Sequence, residues 1–155
     1  MVQLKFGVVG AGHIGKRHME MIRRNPAFHL VAFADIRDKE ACGVEDDIPR
    51  HASLQDMINV HSDLDVICVC TPNGCHAEQA ILALEADCHV VIEKPMALNR
   101  QDGEGILHCA LSRGKQVFCV MQNRYSPPSI WLKEMVSSGV LGNIHMVQVQ
   151  CYWNR

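Results

Sequence analysis

The sequence predicts a doubly wound parallel α/β sheet with helices on both faces. Three observations carry that prediction. Short apolar runs alternate with helical patterns along the chain, a glycine-rich turn joins the first run to the first helix, and Asp35 closes the second run. An apolar run bounded by helical patterns reads as a strand buried on both faces, and strands joined through helices pair in parallel with right-handed crossovers.

The first strand is Leu4 to Val9, followed by a helix from about His13 to Arg24 that Asn25-Pro26 ends. His29 to Ala34 is the second strand. Residues 36–50 read as polar and irregular, with charged Arg37 to Glu40 and Glu45-Asp46-Asp47, and a short strand lies near Arg50-His51-Ala52. Ser53 with Asp56 caps a short helix containing Leu54, Met57 and Ile58. Val66 to Cys70 is a buried strand that stops at Thr71-Pro72-Asn73-Gly74. The next helix sets Ala77, Ala80, Ile81 and Leu84 on one face.

Cys88-His89-Val90-Val91-Ile92 is the fifth strand, and Glu93-Lys94-Pro95 follows it directly. Asn99 caps a helix whose Ile106, Leu107, Ala110 and Leu111 should face inward, stopped at Gly114. Gln116 to Met121 is the sixth strand. Ser126 with Pro127 and Pro128 begins a helix expected to turn Trp131, Leu132, Met135 and Val136 to a core and to end at Gly139. Finally His145, Val147, Val149, Cys151 and Trp153 alternate with mostly polar neighbours, the period of a half-buried strand. With no pairing partner or following helix, that strand reads as the start of a second domain absent from these residues.

At 155 residues, with 48% hydrophobic and 21% charged residues, the chain has the size and composition of one soluble domain. A net charge of −2 without a basic run argues against nucleic-acid or membrane partners. No stretch is long and apolar enough to span a membrane, and the N-terminus has no signal-peptide pattern. The eight cysteines fall mostly inside strand and helix patterns and form no C-x-x-C pair, so they read as reduced, buried residues of a cytoplasmic protein. Cys70, Cys75 and His76 lack a fourth ligand at suitable spacing, so no metal site is expected.

The chemistry gathers at the strand ends. Gly10-Ala11-Gly12-His13-Ile14-Gly15 closes the first strand and opens a helix, with Asp35 twenty residues beyond Gly15. Gly10 permits the turn, Gly12 lets a diphosphate approach the backbone, and Gly15 permits close helix–strand packing, while the helix N-terminus attracts the anion. Asp35 can accept from adenosine ribose hydroxyls and would repel a 2′-phosphate. NAD is therefore expected over NADP, a preference that neighbouring Arg37 weakens.

Thr71, Pro72 and Asn73 end the fourth strand beside the topological switch point and are expected on the cofactor side. His76 is either a cofactor contact there or part of a plain turn at a helix start. Lys94 can bind a substrate hydroxyl and assist its deprotonation. Glu93 can orient Lys94 or a ribose hydroxyl. Asn123-Arg124-Tyr125 ends the sixth strand at the same rim, where Arg124 can clamp a carboxylate or phosphate, or tie two domains together. His18 reads as a packing or capping histidine, and Met19 and Met21 as core or partner-facing residues.

Taken together, the glycine turn with His18, Asp35, Thr71-Pro72-Asn73 with His76, and Glu93-Lys94-Pro95 resemble the glucose–fructose oxidoreductase/inositol dehydrogenase family of NAD(P)-dependent oxidoreductases. The resemblance implies a Rossmann domain, here residues 1–124, with residues 125–155 forming the linking helix and first strand of a second α/β domain. It implies NAD as cofactor, a sugar or sugar-nucleotide hydroxyl as substrate, and Lys94 as the catalytic residue contacting that hydroxyl. It also implies that a histidine or aspartate of the second domain completes the acid–base pair. The longer protein would then be a homo-oligomer through that domain, and these 155 residues alone would bind dinucleotide with little turnover. Phe118 to Pro127 resembles members that oxidise the C3 hydroxyl of a UDP-N-acetylaminosugar uronate. Two other classes share the fold: glycosidases that oxidise the sugar transiently with NAD, and non-catalytic dinucleotide sensors, for which Lys94 would have no use.

Overall fold

The computed structural model describes residues 3–44 and 47–152. Six parallel strands form one sheet: β1 (Leu4–Val9), β2 (Phe28–Ala34), β3 (Arg50–His51), β4 (Val66–Val69), β5 (His89–Ile92) and β6 (Val117–Cys119). Their order is β3-β2-β1-β4-β5-β6. The helices are α1 (His13–Arg24), α2 (Lys39–Cys42), α3 (Leu54–Val60), α4 (His76–Glu85), α5 (Arg100–Arg113) and α6 (Pro127–Ser137). From β1 the chain winds outward through β2 and β3, then returns to place β4 on the other side of β1. The crevice at the carboxyl ends of β1 and β4 is therefore the switch point.

Strand alternation divides the core into two layers. Phe6, Val8, Val66, Cys68 and Cys70 pack with Met19 and Ile22 of α1 and Cys42 of α2. Val9, Ile67, Val69, Val90 and Ile92 pack with α3, α4 and α5 through Met57, Leu84 and Ile106. Side chains on successive strand residues point to opposite faces, so the central strands serve both layers and are apolar where they are buried, as β4 is along its whole length. The core cysteines are thiols, and burial pushes Cys68 up to about 12 and Cys88 up to about 11.

The helix ends follow their caps. Ser53 accepts from the Asp56 N–H and Asn99 from the Asp102 N–H, while Gly114 ends α5 in the left-handed conformation.

Several expectations need correction. The polar stretch after Asp35 contains helix α2, because Asp38 accepts from the Ala41 N–H and Gly43 closes the turn. Glu45 and Asp46 lie outside the described residues. In α5 only Ile106 and Ala110 are buried, and Leu107 and Leu111 are exposed. Gly105 faces Ile81 and Gly103 faces Met96 and Ala97, so the helix meets its neighbours through a narrow, small-residue stripe.

Residues up to Val120 form one compact unit and those from Met121 another. In the second unit a turn over Gln122–Tyr125 leads into α6, whose Trp131, Leu132 and Val136 are exposed instead of facing a core. Residues 143–152 pair with no strand among the described residues. Trp153 of the expected strand lies outside the described residues. Among the described residues no helix is long and apolar enough to cross a membrane.

Candidate functional site

The parallel sheet brings the carboxyl ends of β1, β2, β4 and β5 to one edge, and with them the glycine turn, Asp35, Thr71 and Lys94. Gly10 has φ +89°, and a Cβ there would lie 2.7 Å from the Cys70 carbonyl oxygen. A Cβ on Gly15 would lie 1.8 Å from the Gly10 carbonyl oxygen. These two positions let the start of α1 close onto β1 and β4. Gly12 is the reverse case: a Cβ there would meet nothing within 4 Å. Gly12 also stands at the N-cap of α1 without a side chain to cap it, and the first turn carries no acid. The N–H groups at the start of α1, where exposed His13 and Ile14 sit, therefore have the open space and positive potential that a diphosphate needs.

A crevice of about 630 Å³ opens beside this turn, in the size range of cofactor sites. Its walls include Gly10, Gly12, Asp35, Arg37, Thr71 and Pro72. Asp35 Oδ2 accepts from the Ala11 N–H at 2.7 Å, which couples the end of β2 to the glycine turn. The Arg37 side chain holds both Asp35 carboxylate oxygens at 3.0 Å. The guanidinium, followed by the main-chain N–H groups of Arg37 and Ala11, keeps the Asp35 carboxyl far below its usual range despite partial burial. Thr71 Oγ1 lies 2.6 Å from Gln79 Oε1, so its hydroxyl is held against the crevice wall. Asn73 is exposed in the turn between β4 and α4.

The sequence reading missed Ser53, Leu54, Cys75 and Gln79, which also line the crevice. Gln79 follows Cys75 by four residues, a helical spacing that signals a shared face once the helix start is known. Ser53 had been assigned only as a cap.

Two predicted site residues face elsewhere. His76 is fully buried, with Nδ1 2.7 Å from the Pro95 carbonyl oxygen and Nε2 2.9 Å from that of Thr71. Its ring spans two main-chain segments and presents neither nitrogen to the crevice. Glu93 is also buried, and its Oε1 lies 2.8 Å from His18 Nε2. The carboxylate therefore points into the α1 layer, not toward Lys94 or a ribose. Strand alternation is the reason: Glu93 shares the face of Val91, opposite Ile92. Lys94 itself is exposed, precedes a cis peptide bond to Pro95, and makes no side-chain hydrogen bond or ion pair among the described residues. Asn123 and Arg124 belong to the second unit, where with Tyr125, Ser129 and Lys133 they line a separate pocket of about 580 Å³.

Comparison with known proteins decides what this edge is. The profile of the Gfo/Idh/MocA oxidoreductase family, NAD-binding Rossmann fold, matches residues 4–121. The chain belongs to that family. It is an NAD-binding domain of the family, and the open, uncapped glycine turn fits that cofactor.

Among its relatives, the family domain is 30% identical to the D-glucoside 3-dehydrogenase of Escherichia coli, over 92% of this chain and 42% of that protein. It is 30% identical to the inositol 2-dehydrogenase of Salmonella typhimurium, over 96% of this chain and 46% of that protein. The WlbA dehydrogenase of Bordetella pertussis, solved in complex with NADH and UDP-GlcNAcA, superimposes with a TM-score of 0.82 at 31% identity, over 90% of this chain and 42% of that one. The chain thus spans less than half the length of these relatives.

Proposed function

We propose that the protein acts as an NAD-dependent dehydrogenase on a CH–OH group of a sugar or sugar nucleotide, with this chain supplying the cofactor site and Lys94. The observation that carries the reading is an exposed lysine without a side-chain partner at the sheet edge that also presents an open glycine turn and Asp35. When bound, NAD supplies a two-electron hydride acceptor.

The chain's own residues do the rest. The start of α1 receives the diphosphate through main-chain N–H groups, and Asp35 with Arg37 borders the adenosine ribose. Arg37 offsets part of the Asp35 charge, so the preference for NAD over NADP rests on how far its half-exposed side chain swings away when ribose binds. Lys94 donates a hydrogen bond to the oxygen that loses its proton as the carbon is oxidised, and stabilises the charge that develops there. An electrostatic contact that strengthens as negative charge develops lowers the barrier without tightening ground-state binding.

The substrate class is supported by the glucoside, inositol and UDP-sugar relatives. The uronate-oxidising branch is supported by the Phe118 to Pro127 segment together with the WlbA likeness. A reducing, cytoplasmic setting is supported by the buried free thiols. Homo-oligomerisation of the longer protein rests on the family resemblance.

Titration with NADH, followed by the quenching of protein fluorescence, tests the cofactor half of the reading. Saturable binding that Gly15→Ala weakens at least tenfold is expected, and absence of saturable binding in the parent chain overturns it. In the protein at its relatives' length, Lys94→Ala should cut sugar-dependent NADH formation while NADH binding persists. Unchanged turnover would remove Lys94 from the mechanism.

A further inference from the structure

We infer that His18 and His76 are positioning residues for Lys94, bracing Glu93-Lys94-Pro95 from opposite faces of the sheet. The inference rests on the proposed role of Lys94 at the reacting hydroxyl. Residues 91 and 93 of the fifth run face the α1 layer, and residues 90 and 92 face the α4 layer. The residue before Lys94 is thus held from one side: the Glu93 carboxylate accepts from His18 Nε2 at 2.8 Å. The residue after it is held from the other, where the Pro95 carbonyl lies 2.7 Å from His76 Nδ1.

His76 is buried and His18 half-buried, and their hydrogen bonds go to the neighbours of Lys94 and not to Lys94 itself. Glu93 would otherwise be a buried carboxylate among apolar neighbours, close enough to raise the Cys68 and Cys70 thiols. Such a group is tolerated only when paired, so the His18 contact fixes its rotamer. His76 stands between two carbonyls, and whichever ring nitrogen carries the proton donates to one of them. Lys94, between two held neighbours, is left exposed and without a partner among the described residues.

The braces also have informative anchors. His18 stands little more than a turn from the start of α1, where the glycine turn opens. His76 reaches the carbonyl of Thr71, a wall residue of the dinucleotide crevice. Each therefore ties the lysine turn to one wall of the cofactor site. Displacement of either wall moves the anchor of Lys94 with it, which is what holding a lysine in register with a nicotinamide requires.

The test reads Lys94 itself. The chain has six lysines, and reductive ¹³C-methylation gives each a resolvable NMR signal, with Lys94 assigned by Lys94→Arg. His18→Leu and His76→Gln are expected to shift or broaden the Lys94 signal by more than its linewidth, leaving Lys5, Lys16, Lys39, Lys115 and Lys133 in place. Glu93→Ala should do the same, and Glu93→Gln, which keeps a hydrogen-bond acceptor for His18, should restore the parent signal.

A general loss of stability would not single out one exposed amine. If His76→Gln does not fold, His18→Leu and the two Glu93 variants decide. A Lys94 signal unmoved in the folded variants overturns the bracing role. Loss of NADH binding by the parent chain would instead overturn the cofactor reading, so the two failures are separable.

Discussion

Helices α4 and α6 carry similar sequence patterns and meet different fates. In α4, His76, Ala80, Ala83 and Leu84 are buried between the sheet and the neighbouring helices. In α6 the apolar Trp131, Leu132 and Val136, with Ile130 beside them, are all exposed. Periodicity states which face of a helix wants a partner, and a second element must supply one. Among the described residues the first unit supplies six strands for five α-helices, whereas the second offers one α-helix and a segment that joins no sheet. The same arithmetic of apolar area therefore stabilises one helix and not the other.

The sharpest way to break this contrast is a matched pair of truncations. Leu84→Ala removes a fully buried side chain and should cost about 3 kcal/mol of unfolding free energy in urea. Leu132→Ala removes a half-exposed one and should cost less than about 0.5 kcal/mol. Equal costs would mean that α6 finds a packed partner.

The helix starts offer a smaller comparison. Asn99 accepts from the Asp102 N–H at 2.8 Å, whereas the Ser126 hydroxyl bonds the Asn123 carbonyl and Ser129 and, among the described residues, caps no helical N–H. Asn99→Ala should cost about 1 kcal/mol and Ser126→Ala markedly less, by the same urea measurement. A reversed order would contradict the capping assignment.

The smallest expected effect concerns pH. His51 Nε2 lies 3.0 Å from His61 Nε2, and burial, followed by the charge on His61, lowers the His51 pKa from its ordinary 6.5. In the window below 6.5 the unfolded chain binds more protons at this site than the folded one. Its contribution is therefore full above 6.5 and declines as pH falls toward the folded value. Melting temperature should drop between pH 7 and pH 5, and His51→Asn should flatten part of that slope. A slope identical in the variant would assign the acid sensitivity to other groups.

How much was legible in the sequence differs by element. Strand β1 and helix α1 were readable to the residue, since Leu4 to Val9 is apolar apart from Lys5 and the glycine turn and Asn25-Pro26 bracket the helix. Helix α2 was hidden because four residues are too few to show a period, although Asp38 and Gly43 were the capping signals. Leu107 and Leu111 misled because a helical stripe of leucines looks the same whether its neighbour is broad or narrow. His18, Glu93 and His76 were visible as residues, but their partners lie 75 and 19 positions away in the chain. Spacing along the chain carries no information about such contacts.

By itself the sequence determined the α/β class, the parallel order implied by strands joined through helices, and the chemistry available at the strand ends. Those properties follow from local periodicity and from residues that act where they stand: Gly10 for its positive φ, Gly15 for its missing Cβ, Asp35 for its charge. Only the tertiary structure decided which way Glu93 points, that His76 spans two carbonyls, and that Arg37 lies across Asp35. Each of those depends on which layer covers a strand end. Layer assignment is set by the packing of the whole sheet, and no short window of residues contains it.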